Sequence, residues 1–390
     1  QLTSTNSSIG LIYALKKNIC FSMIIKFFKK KIYTFLAIVF VSLLLTEIFA
    51  KLLVKVGYLD KGLPAWVTLR AHQDFGTWHP KRSSFIIEKK NCWISRTSYN
   101  SLGMRKTFNF KINNENKNQE KIALLGDSMV ENIEVEDGLD LGSSIQKKIG
   151  PYQVLNFGSR GTGLADQTEI YKKLIKPKNV DYLFLFVTEN DIYNNVNGFT
   201  SGYHKRFEYV DNRIVEIPKD QNYLNNYNSF KKKFFRENLL FLKKFDFYKV
   251  YLKYHSAMSK QKKETVKQNL TDKFDLTDSK KKIYIEIKKK FINALDKNTK
   301  LFVFLNARPH IFNPDKDAFT SSEHQVTNFL KKIWEQEDKF FDPYTFVKKE
   351  LVENNKFSFP YLSFECDSHY SSFGSNIYAK FVSESFLNNK

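Results

Sequence analysis

KIALLGDS, residues 121–128, carries four apolar residues directly into Gly126, Asp127 and Ser128. A short apolar run of this kind is typical of a strand buried on both faces, as in parallel sheets. The polar residues then stand at the carboxyl end of the strand, where the sites of open α/β sheets gather. The stretch therefore predicts a parallel sheet with Ser128 at its edge.

Three further apolar runs, residues 153–157, 180–187 and 300–306, indicate three more strands of the same sheet. Helical patterns at residues 141–149 and 165–175 lie between them, so the order of elements predicts a doubly wound α/β domain with helices flanking the sheet. Residues 194–293 interrupt this order. They are rich in Lys and aromatic residues and too long for a simple connection, and we expect a helical insertion over the same edge of the sheet.

The chain has 390 residues and a formal net charge of +21 at pH 7. This length suits one large domain with insertions. The charge alone would suit a nucleic-acid-binding protein, but Lys is spread along the chain without a recognisable binding motif, so we expect no nucleic-acid partner. Solvated faces are the simplest explanation of the Lys content, and attraction to anionic lipid or acidic polysaccharide is the alternative.

Residues 32–50, IYTFLAIVFVSLLLTEIFA, are almost wholly apolar and approach the ~20 residues that a helix needs to cross a bilayer. Four lysines precede them, at positions 26, 29, 30 and 31, which predicts a basic cytoplasmic N-terminus over residues 1–31 and an exported remainder. Residues 51–119 show no sustained periodicity and are interpreted as an irregular stalk and lead-in to a domain at 120–390. The alternative is a cleaved signal peptide ending near Ala50.

The three cysteines, Cys20, Cys92 and Cys366, form neither a disulfide-dense scaffold nor a zinc spacing, so no metal is expected. Cys92 and Cys366 would share the exported side of the membrane. They could form one disulfide in an oxidising compartment, or remain two free buried thiols.

A nucleophile and a base can be assigned from local context. Ser128 follows a strand, and a tight turn at Gly126 would hold its hydroxyl out of the sheet. His369 alone among the seven histidines has a carboxylate two residues before it, Asp367, which would orient the imidazole and stabilise its charged form. The structural alternatives are an N-cap role for Ser128 and an exposed Asx turn at Asp367.

Donors for an oxyanion can be assigned as well. The backbone amide of Ser128 is one, and Gly161, which closes the segment NFGSRG, leaves room for a second backbone amide to approach the same oxygen. Asn190 ends a strongly apolar strand and offers a carboxamide, while Asp191 would cap the structure that follows, and Gly126 and Asp127 have supporting roles. An ordinary glycine turn and a helix cap would explain Gly161 and Asn190 equally well.

Taken in order, these segments resemble the SGNH/GDSL hydrolase superfamily over residues 100–386, apart from the insertion. Ser128 matches the block I nucleophile, Gly161 the block II glycine, Asn190 the block III asparagine, and Asp367 with His369 the block V pair. GDSMVENIEVEDG and the upstream NSLGMR are also similar to membrane-anchored or exported bacterial members. Two departures stand out: Thr188 replaces the usual block III glycine, and His369 follows its aspartate by two positions where three are common.

The resemblance implies a serine esterase that forms an acyl-enzyme on Ser128 and needs no cofactor. The expected substrate is an O-acylated envelope glycan, with O-acetyl as the expected ester, or another ester. An O-acetyltransferase of envelope polysaccharide, supplied by a membrane acyl-donor partner, is a second hypothesis. A catalytically silent protein that binds glycan or scaffolds an assembly is a third, and an intact set of Ser128, Asp367 and His369 argues against it.

Overall fold

The computed structural model describes residues 31–53, 62–63, 65–107, 119–196, 204–220, 275–306, 321–354, 361–364 and 366–390. These residues fall into two units. The first contains the N-terminal helix, and the second contains the sheet and the site.

A five-stranded parallel sheet forms the centre of the second unit. Its strands are β5 (Lys121–Leu125), β6 (Gln153–Asn156), β7 (Tyr182–Val187), β10 (Lys300–Leu305) and β11 (Phe340–Phe341), in the spatial order β11-β10-β7-β5-β6. The four predicted strands are confirmed to within two residues at each end. The fifth, β11, escaped prediction because two residues are too few to show a period.

Helices cover both faces of this sheet. They are α2 (Ser128–Glu131), α3 (Leu141–Ile149), α4 (Leu164–Ile170), α5 (Asp191–Asn194), α6 (Asp278–Ala294), α7 (Ser321–Trp334), α8 (Tyr344–Glu353) and α9 (Ser372–Asn389). The predicted α3 has the predicted ends. The predicted helix at 165–175 is α4 followed by a π-helical turn, Tyr171–Ile175.

Alternation along the strands divides the core into two layers. Ile122 and Leu124 of β5 face one cluster, which α3 and α9 complete, whereas Ala123 and Leu125 face the other, which α4, α6 and α7 complete. Successive strand residues point to opposite faces, so a strand with both sets apolar must be covered on both sides. The predicted doubly wound α/β class is therefore confirmed.

The described part of residues 51–119 is not irregular as the sequence suggested. It contains two antiparallel hairpins, formed by β1 (Arg70–His72) with β2 (Gly76–Trp78) and by β3 (Ser83–Lys89) with β4 (Trp93–Tyr99). The prediction failed because β3 and β4 show no clear hydrophobic period: Ile86 and Ile94 are exposed, whereas Ser95 and Thr97 are buried.

The insertion is not purely helical either. Within residues 194–293, β8 (Arg206–Val210) and β9 (Arg213–Ile217) form a hairpin, and α6 follows at Asp278–Ala294. The turn between the strands uses Asp211 and Asn212 with φ of 48° and 62°, the pair of left-handed residues that tight hairpins favour. Residues 197–203 and 221–274, most of the predicted helical insertion, lie outside the described residues.

The first unit contains the helix α1 (Lys31–Leu53). It is 23 residues long, an 18-residue window within it has a mean hydropathy of 2.2, and it is long and apolar enough to cross a membrane. Large apolar side chains such as Phe35, Phe40 and Leu45 are exposed on it. The predicted span at residues 32–50 coincides with this helix, and the lysines at positions 26, 29 and 30 lie outside the described residues.

Candidate active site

Ser128 is the first residue of α2, directly after β5, as the sequence predicted. Asp127 caps this helix: its Oδ1 accepts a hydrogen bond of 2.9 Å from the backbone amide of Met129. The alternative of Ser128 as the N-cap is therefore wrong, and its hydroxyl is available for other contacts. A Cβ at Gly126 would lie 2.5 Å from Val130 and 3.2 Å from Phe186 on β7, so glycine allows the close approach of strand and turn.

His369 links Ser128 to Asp367. Its Nε2 lies 2.9 Å from Ser128 Oγ and its Nδ1 lies 2.5 Å from Asp367 Oδ1. A carboxylate can only accept, so Nδ1 carries the proton, and in the neutral imidazole Nε2 is then the acceptor for the Ser128 hydroxyl. The three groups form a continuous hydrogen-bonded line across 241 positions of sequence between His369 and Ser128.

The two-residue spacing of this pair has a simple physical reason. Asp367 and His369 lie on a strand, β13 (Asp367–Tyr370), which pairs with β12 (Ser363–Phe364). Residues two apart on a strand share a face, so the carboxylate and the imidazole are neighbours without a helical turn between them. The expected Asx bond is also present, because Asp367 Oδ1 accepts from the His369 backbone amide at 3.3 Å.

The charges around His369 favour its protonated form. Burial alone would lower the pKa of His369, but the negative charges of Glu134 and Asp367 outweigh it and raise the pKa to about 9. Burial likewise opposes ionisation of Asp367, yet its hydrogen bond to His369 and its contacts with Trp93 and Lys89 hold its pKa well below the usual range.

The three predicted oxyanion donors follow three adjacent strands: Ser128 follows β5, Gly161 follows β6 and Asn190 follows β7. Parallel strands end at one edge, so these residues share that edge. Gly161 has a φ of +75°, a left-handed conformation that glycine adopts without strain. Within the described part of the chain, neither the Ser128 nor the Gly161 amide donates to another backbone oxygen.

Asp127 also orients the Asn190 amide. Asn190 Nδ2 donates to Asp127 Oδ2 at 2.9 Å, so the amino group rather than the carbonyl of the amide faces the Asp127–Ser128 turn. An amide nitrogen carries two hydrogens, which leaves one for a second acceptor. Thr188, at the usual glycine position, is accommodated with an ordinary φ, and its hydroxyl contacts Asp127 Oδ1 at 3.4 Å.

The sequence suggested that Asp191 caps the structure that follows Asn190, but Asp191 does not cap α5. It is the first residue of α5, and its Oδ2 accepts from the backbone amide of Thr188 at 2.9 Å while Oδ1 accepts from Gln167 Nε2 at 3.1 Å. Burial raises the pKa of Asp191 well above its usual value, and the nearby Asp127 adds to this effect. The carboxyl group therefore closes the turn that carries Asn190.

A buried ion pair that the sequence analysis did not single out joins the Ser128 and Gly161 segments. Glu131, on α2, accepts from the Arg160 backbone amide at 2.9 Å and from its guanidinium at 3.0 and 3.1 Å. Tyr99 adds a hydrogen bond of 2.7 Å, and His79 Nε2 lies 3.0 Å away. Although burial opposes it, the charge of Arg160 keeps the pKa of Glu131 well below its usual value.

Glu134 is a second carboxylate beside His369, and sequence reasoning missed it. Its Oε1 lies 3.6 Å from His369 Nδ1, and its side chain is 6% exposed. Burial raises the pKa of Glu134, against the charges of His369 and Arg160.

Glu134, Asp367 and His369 also offer ligand atoms within 4.8 Å of one another, a spacing that a metal could use. The hydrogen bond from Nδ1 to Asp367 occupies the atoms such an ion would need, so these residues fit a proton relay better.

Cys92 and Cys366 form a disulfide, which selects one of the two alternatives left open by the sequence. Cys20 lies outside the described residues. The disulfide joins the turn of the β3–β4 hairpin to the residue immediately before Asp367. The site is thus connected to the region that the sequence suggested was an irregular stalk.

Comparison with known proteins gives similarities at the level of three-dimensional structure. An acetyl xylan esterase, AlAXEase, is 13% identical, with a TM-score of 0.37 over 69% of this chain and 98% of that one. A lipolytic protein of the G-D-S-L family from Veillonella parvula is 14% identical, with a TM-score of 0.37 over 69% and 98%. An acetylxylan esterase from Geobacillus stearothermophilus is 11% identical, with a TM-score of 0.37 over 69% and 93%.

No family model matches the sequence, and no curated protein matches it. The geometry of the site is therefore the basis on which a function can be assigned.

Proposed function

We propose that the chain is a serine esterase of SGNH type, with Ser128 as nucleophile, His369 as general base and Asp367 as the group that orients it. The observation that carries the proposal is the line of hydrogen bonds from Ser128 Oγ through His369 to Asp367, 2.9 and 2.5 Å long. This arrangement satisfies the geometric requirement for an activated hydroxyl, a nucleophile within reach of a base that a third group holds.

In the proposed reaction Ser128 Oγ attacks the carbonyl carbon of an ester while its proton passes to His369 Nε2. The backbone amides of Ser128 and Gly161 and the Asn190 carboxamide stabilise the oxyanion that forms. When the tetrahedral intermediate collapses, the alcohol leaves with the proton from Nε2, and the acyl group stays on Ser128. A water molecule, which gives a proton to His369 Nε2, then attacks the acyl carbon. When this second tetrahedral intermediate collapses, the bond to Ser128 Oγ breaks, Nε2 returns the proton to Oγ, and the carboxylic acid leaves.

The proposed place of the reaction is the exported side of a membrane, with α1 as a single-pass anchor. Lysines before the apolar helix favour a cytoplasmic N-terminus. The disulfide supports an oxidising compartment for the catalytic unit, since cytosolic thiols are kept reduced.

The proposed substrate is an O-acylated envelope glycan with a small acyl group such as acetyl. Lys-rich surfaces would hold acidic sugars near an exported domain. The same acyl-enzyme could pass its acyl group to a sugar hydroxyl instead of to water, and hydrolysis and active-site labelling together separate these outcomes.

The test is hydrolysis of p-nitrophenyl acetate by the full chain in detergent, compared with Ser128→Ala and His369→Ala. We expect each variant to lose at least about 10³-fold in kcat, because the members of such a relay act as a unit. Ser279→Ala, at the surface end of α6, is the matched control and should keep parental activity. A fluorophosphonate probe should label Ser128 in the parent, as located by peptide mass spectrometry.

A folded parent that neither hydrolyses the ester nor reacts with the probe would overturn the esterase proposal in favour of a binding protein. Labelling of Ser128 without hydrolysis would indicate an acyltransferase that excludes water and needs its own acceptor.

A further inference from the structure

The catalytic carboxylate is held from outside its own strand, by the turn of the β3–β4 hairpin. Asp367 uses Oδ1 for His369, and its other oxygen, Oδ2, accepts from Trp93 Nε1 at 3.1 Å and from Lys89 Nζ at 3.0 Å. Lys89 Nζ also donates to the carbonyl oxygen of Cys366 at 2.5 Å. With Oδ2 occupied by two donors, the carboxylate plane is set so that Oδ1 faces the imidazole.

The disulfide holds the same two segments together covalently. Cys92 lies next to Trp93, Cys366 lies next to Asp367, and the Cα atoms of the two cysteines are 5.7 Å apart. They are separated by 274 positions in sequence, so no local structure brings them into contact. The covalent link and the two hydrogen-bond donors act on the same short segment.

The hairpin is in turn anchored to the chain that follows the nucleophile. Ile87 and Trp93 pack with Ile133 in one buried cluster, against which Phe364 of β12 also packs. Within this cluster Trp93 is 8% exposed. The backbone amide of Arg96 donates to Glu136 at 2.7 Å, and Ser95 donates to the carbonyl oxygen of Ile133. The hairpin therefore contacts both the segment of the base and the segment that follows Ser128, and it helps to set the distance between them.

We propose that the hairpin turn at residues 89–93 is a positioning device for the general base, with Trp93 as its principal positioning residue, and that the disulfide makes catalysis depend on thiol oxidation. The proposal rests on the proposed esterase function. Reduction breaks the sulfur–sulfur bond, and two electrons and two protons convert the pair to two thiols. A trialkyl phosphine can supply the electrons, becoming the phosphine oxide with an oxygen from water. The freed segment then holds Asp367 through hydrogen bonds alone.

The experiment uses the full chain in detergent, with p-nitrophenyl acetate as substrate and the fluorophosphonate probe to titrate reactive sites. Cys92→Ser, Cys366→Ser and Trp93→Phe are compared with the parent, and Cys20→Ser is the matched control. We expect each of the first three to lower kcat per titrated site by about tenfold, the worth of one hydrogen bond to a charged group, with little change in KM. Phosphine treatment of the parent, followed by removal of the phosphine, should reproduce the Cys92→Ser value.

The pH profile separates positioning from mere stabilisation. A carboxylate that no longer faces the imidazole raises its pKa less, so the acid limb of kcat/KM should move to lower pH in the three variants. The charged groups that face His369 are Asp367, Glu134 and Asp127, with Lys89 on the far side of Asp367. If the disulfide only stabilises the fold, its loss would reduce the number of sites that react with the probe and leave the kcat per reactive site and the pH profile unchanged. That result would overturn the proposal.

Trp93→Phe keeps an aromatic six-membered ring but removes the indole N–H together with the five-membered ring, so a thermal melt of this variant is measured beside kcat to separate the lost hydrogen bond from lost packing. Parental kcat and pH profile in this variant would remove Trp93 from the proposal. Peptide mapping without reductant tests the disulfide independently of activity. A parent that reacts with neither substrate nor probe contradicts the esterase function, whereas an active parent that reduction leaves unchanged contradicts only the positioning role.

Discussion

The segment that carries the proposed nucleophile and the segment that carries the proposed base are held in place in different ways. Ser128 follows β5, a strand hydrogen-bonded to β6 on one side and β7 on the other, with four of its five residues buried. Asp367 and His369 lie on a two-stranded sheet separate from the central one, where three of the four β13 residues are partly exposed.

Backbone hydrogen bonds therefore hold the nucleophile, whereas side-chain contacts hold the base. Asn132, which ends α2, donates to the carbonyl oxygen of Tyr370 at 3.2 Å and accepts from Ser375 at 2.7 Å, and this is one such link between the two segments. We therefore expect changes in the base segment to alter catalysis with little effect on folding. Changes in the nucleophile segment should disturb the sheet itself.

Asp367→Asn should have the largest effect on the base segment. The neutral amide cannot stabilise the imidazolium and no longer dictates the tautomer of His369, so we expect kcat to fall by about 10⁴-fold while the chain stays folded. Steady-state hydrolysis of p-nitrophenyl acetate and a thermal melt check both halves of this statement. Asp338→Asn, on an exposed turn, is the control. A loss of less than about tenfold would mean that Asp367 does not orient the base.

Asn190→Ala tests the edge of the sheet on the nucleophile side. Removal of one oxyanion donor should lower kcat by about 10²- to 10³-fold and leave KM nearly unchanged, because the interaction is made in the transition state. The exposed Asn298 provides the control, Asn298→Ala. A raised KM with an unchanged kcat would instead assign Asn190 to ground-state binding of the ester.

Glu134→Gln should change the pH dependence of kcat/KM, which reports on the base segment. His369 accepts the Ser128 proton only when neutral, so a pKa of about 9 means that kcat/KM falls as the pH drops below about 9. Without the charge of Glu134 the pKa of His369 falls, and the acid limb should move to lower pH. Glu335→Gln, exposed directly after α7, should leave the profile unchanged. An unmoved acid limb in Glu134→Gln would show that Glu134 is not ionised beside the imidazole.

The same raised pKa has a defined effect on folding. A group whose pKa is higher in the folded chain contributes stability that is fully present below its unfolded value, about 6.5 for histidine, and lost as the pH rises through the folded value. The contribution of His369 is therefore lost towards about pH 9. Urea unfolding of the parent and of Glu134→Gln at about pH 6 and about pH 10 measures it, and the difference between the two pH values should be smaller in the variant.

Two glycines after β6, Gly158 and Gly161, should differ in how much a substitution by alanine lowers the free energy of unfolding. At Gly161 an added Cβ meets nothing nearer than 3.8 Å, so Gly161→Ala should cost only the left-handed φ, about 1 kcal/mol of unfolding free energy. At Gly158 it would lie 2.4 Å from the Glu131 backbone nitrogen, so Gly158→Ala should cost about 2 kcal/mol or more. Chemical denaturation distinguishes them, and equal costs would contradict the close approach of α2 to this loop.

Much of the central sheet could be predicted because its information is local. A strand buried on both faces must be apolar throughout, so β5, β7 and β10 appear as apolar runs. The hairpin β3–β4 could not be predicted in this way, since its strands mix apolar and polar residues on both faces and are stabilised by distant partners such as Ile133. Glu131 and Glu134 lie within the GDSMVENIEVEDG segment, yet nothing in their spacing shows that one meets Arg160 and the other His369.

By itself the sequence determined which residue types stand at the ends of the strands, because strand and turn preferences act over a few neighbouring positions. It identified Ser128, Gly161, Asn190, Asp367 and His369 as candidates. The three-dimensional fold was needed to show that His369 reaches Ser128 across 241 positions, that Cys92 bonds Cys366, and that Trp93 and Glu134 contact Asp367 and His369. These contacts depend on how separate elements pack in three dimensions, and such packing has no period along the chain.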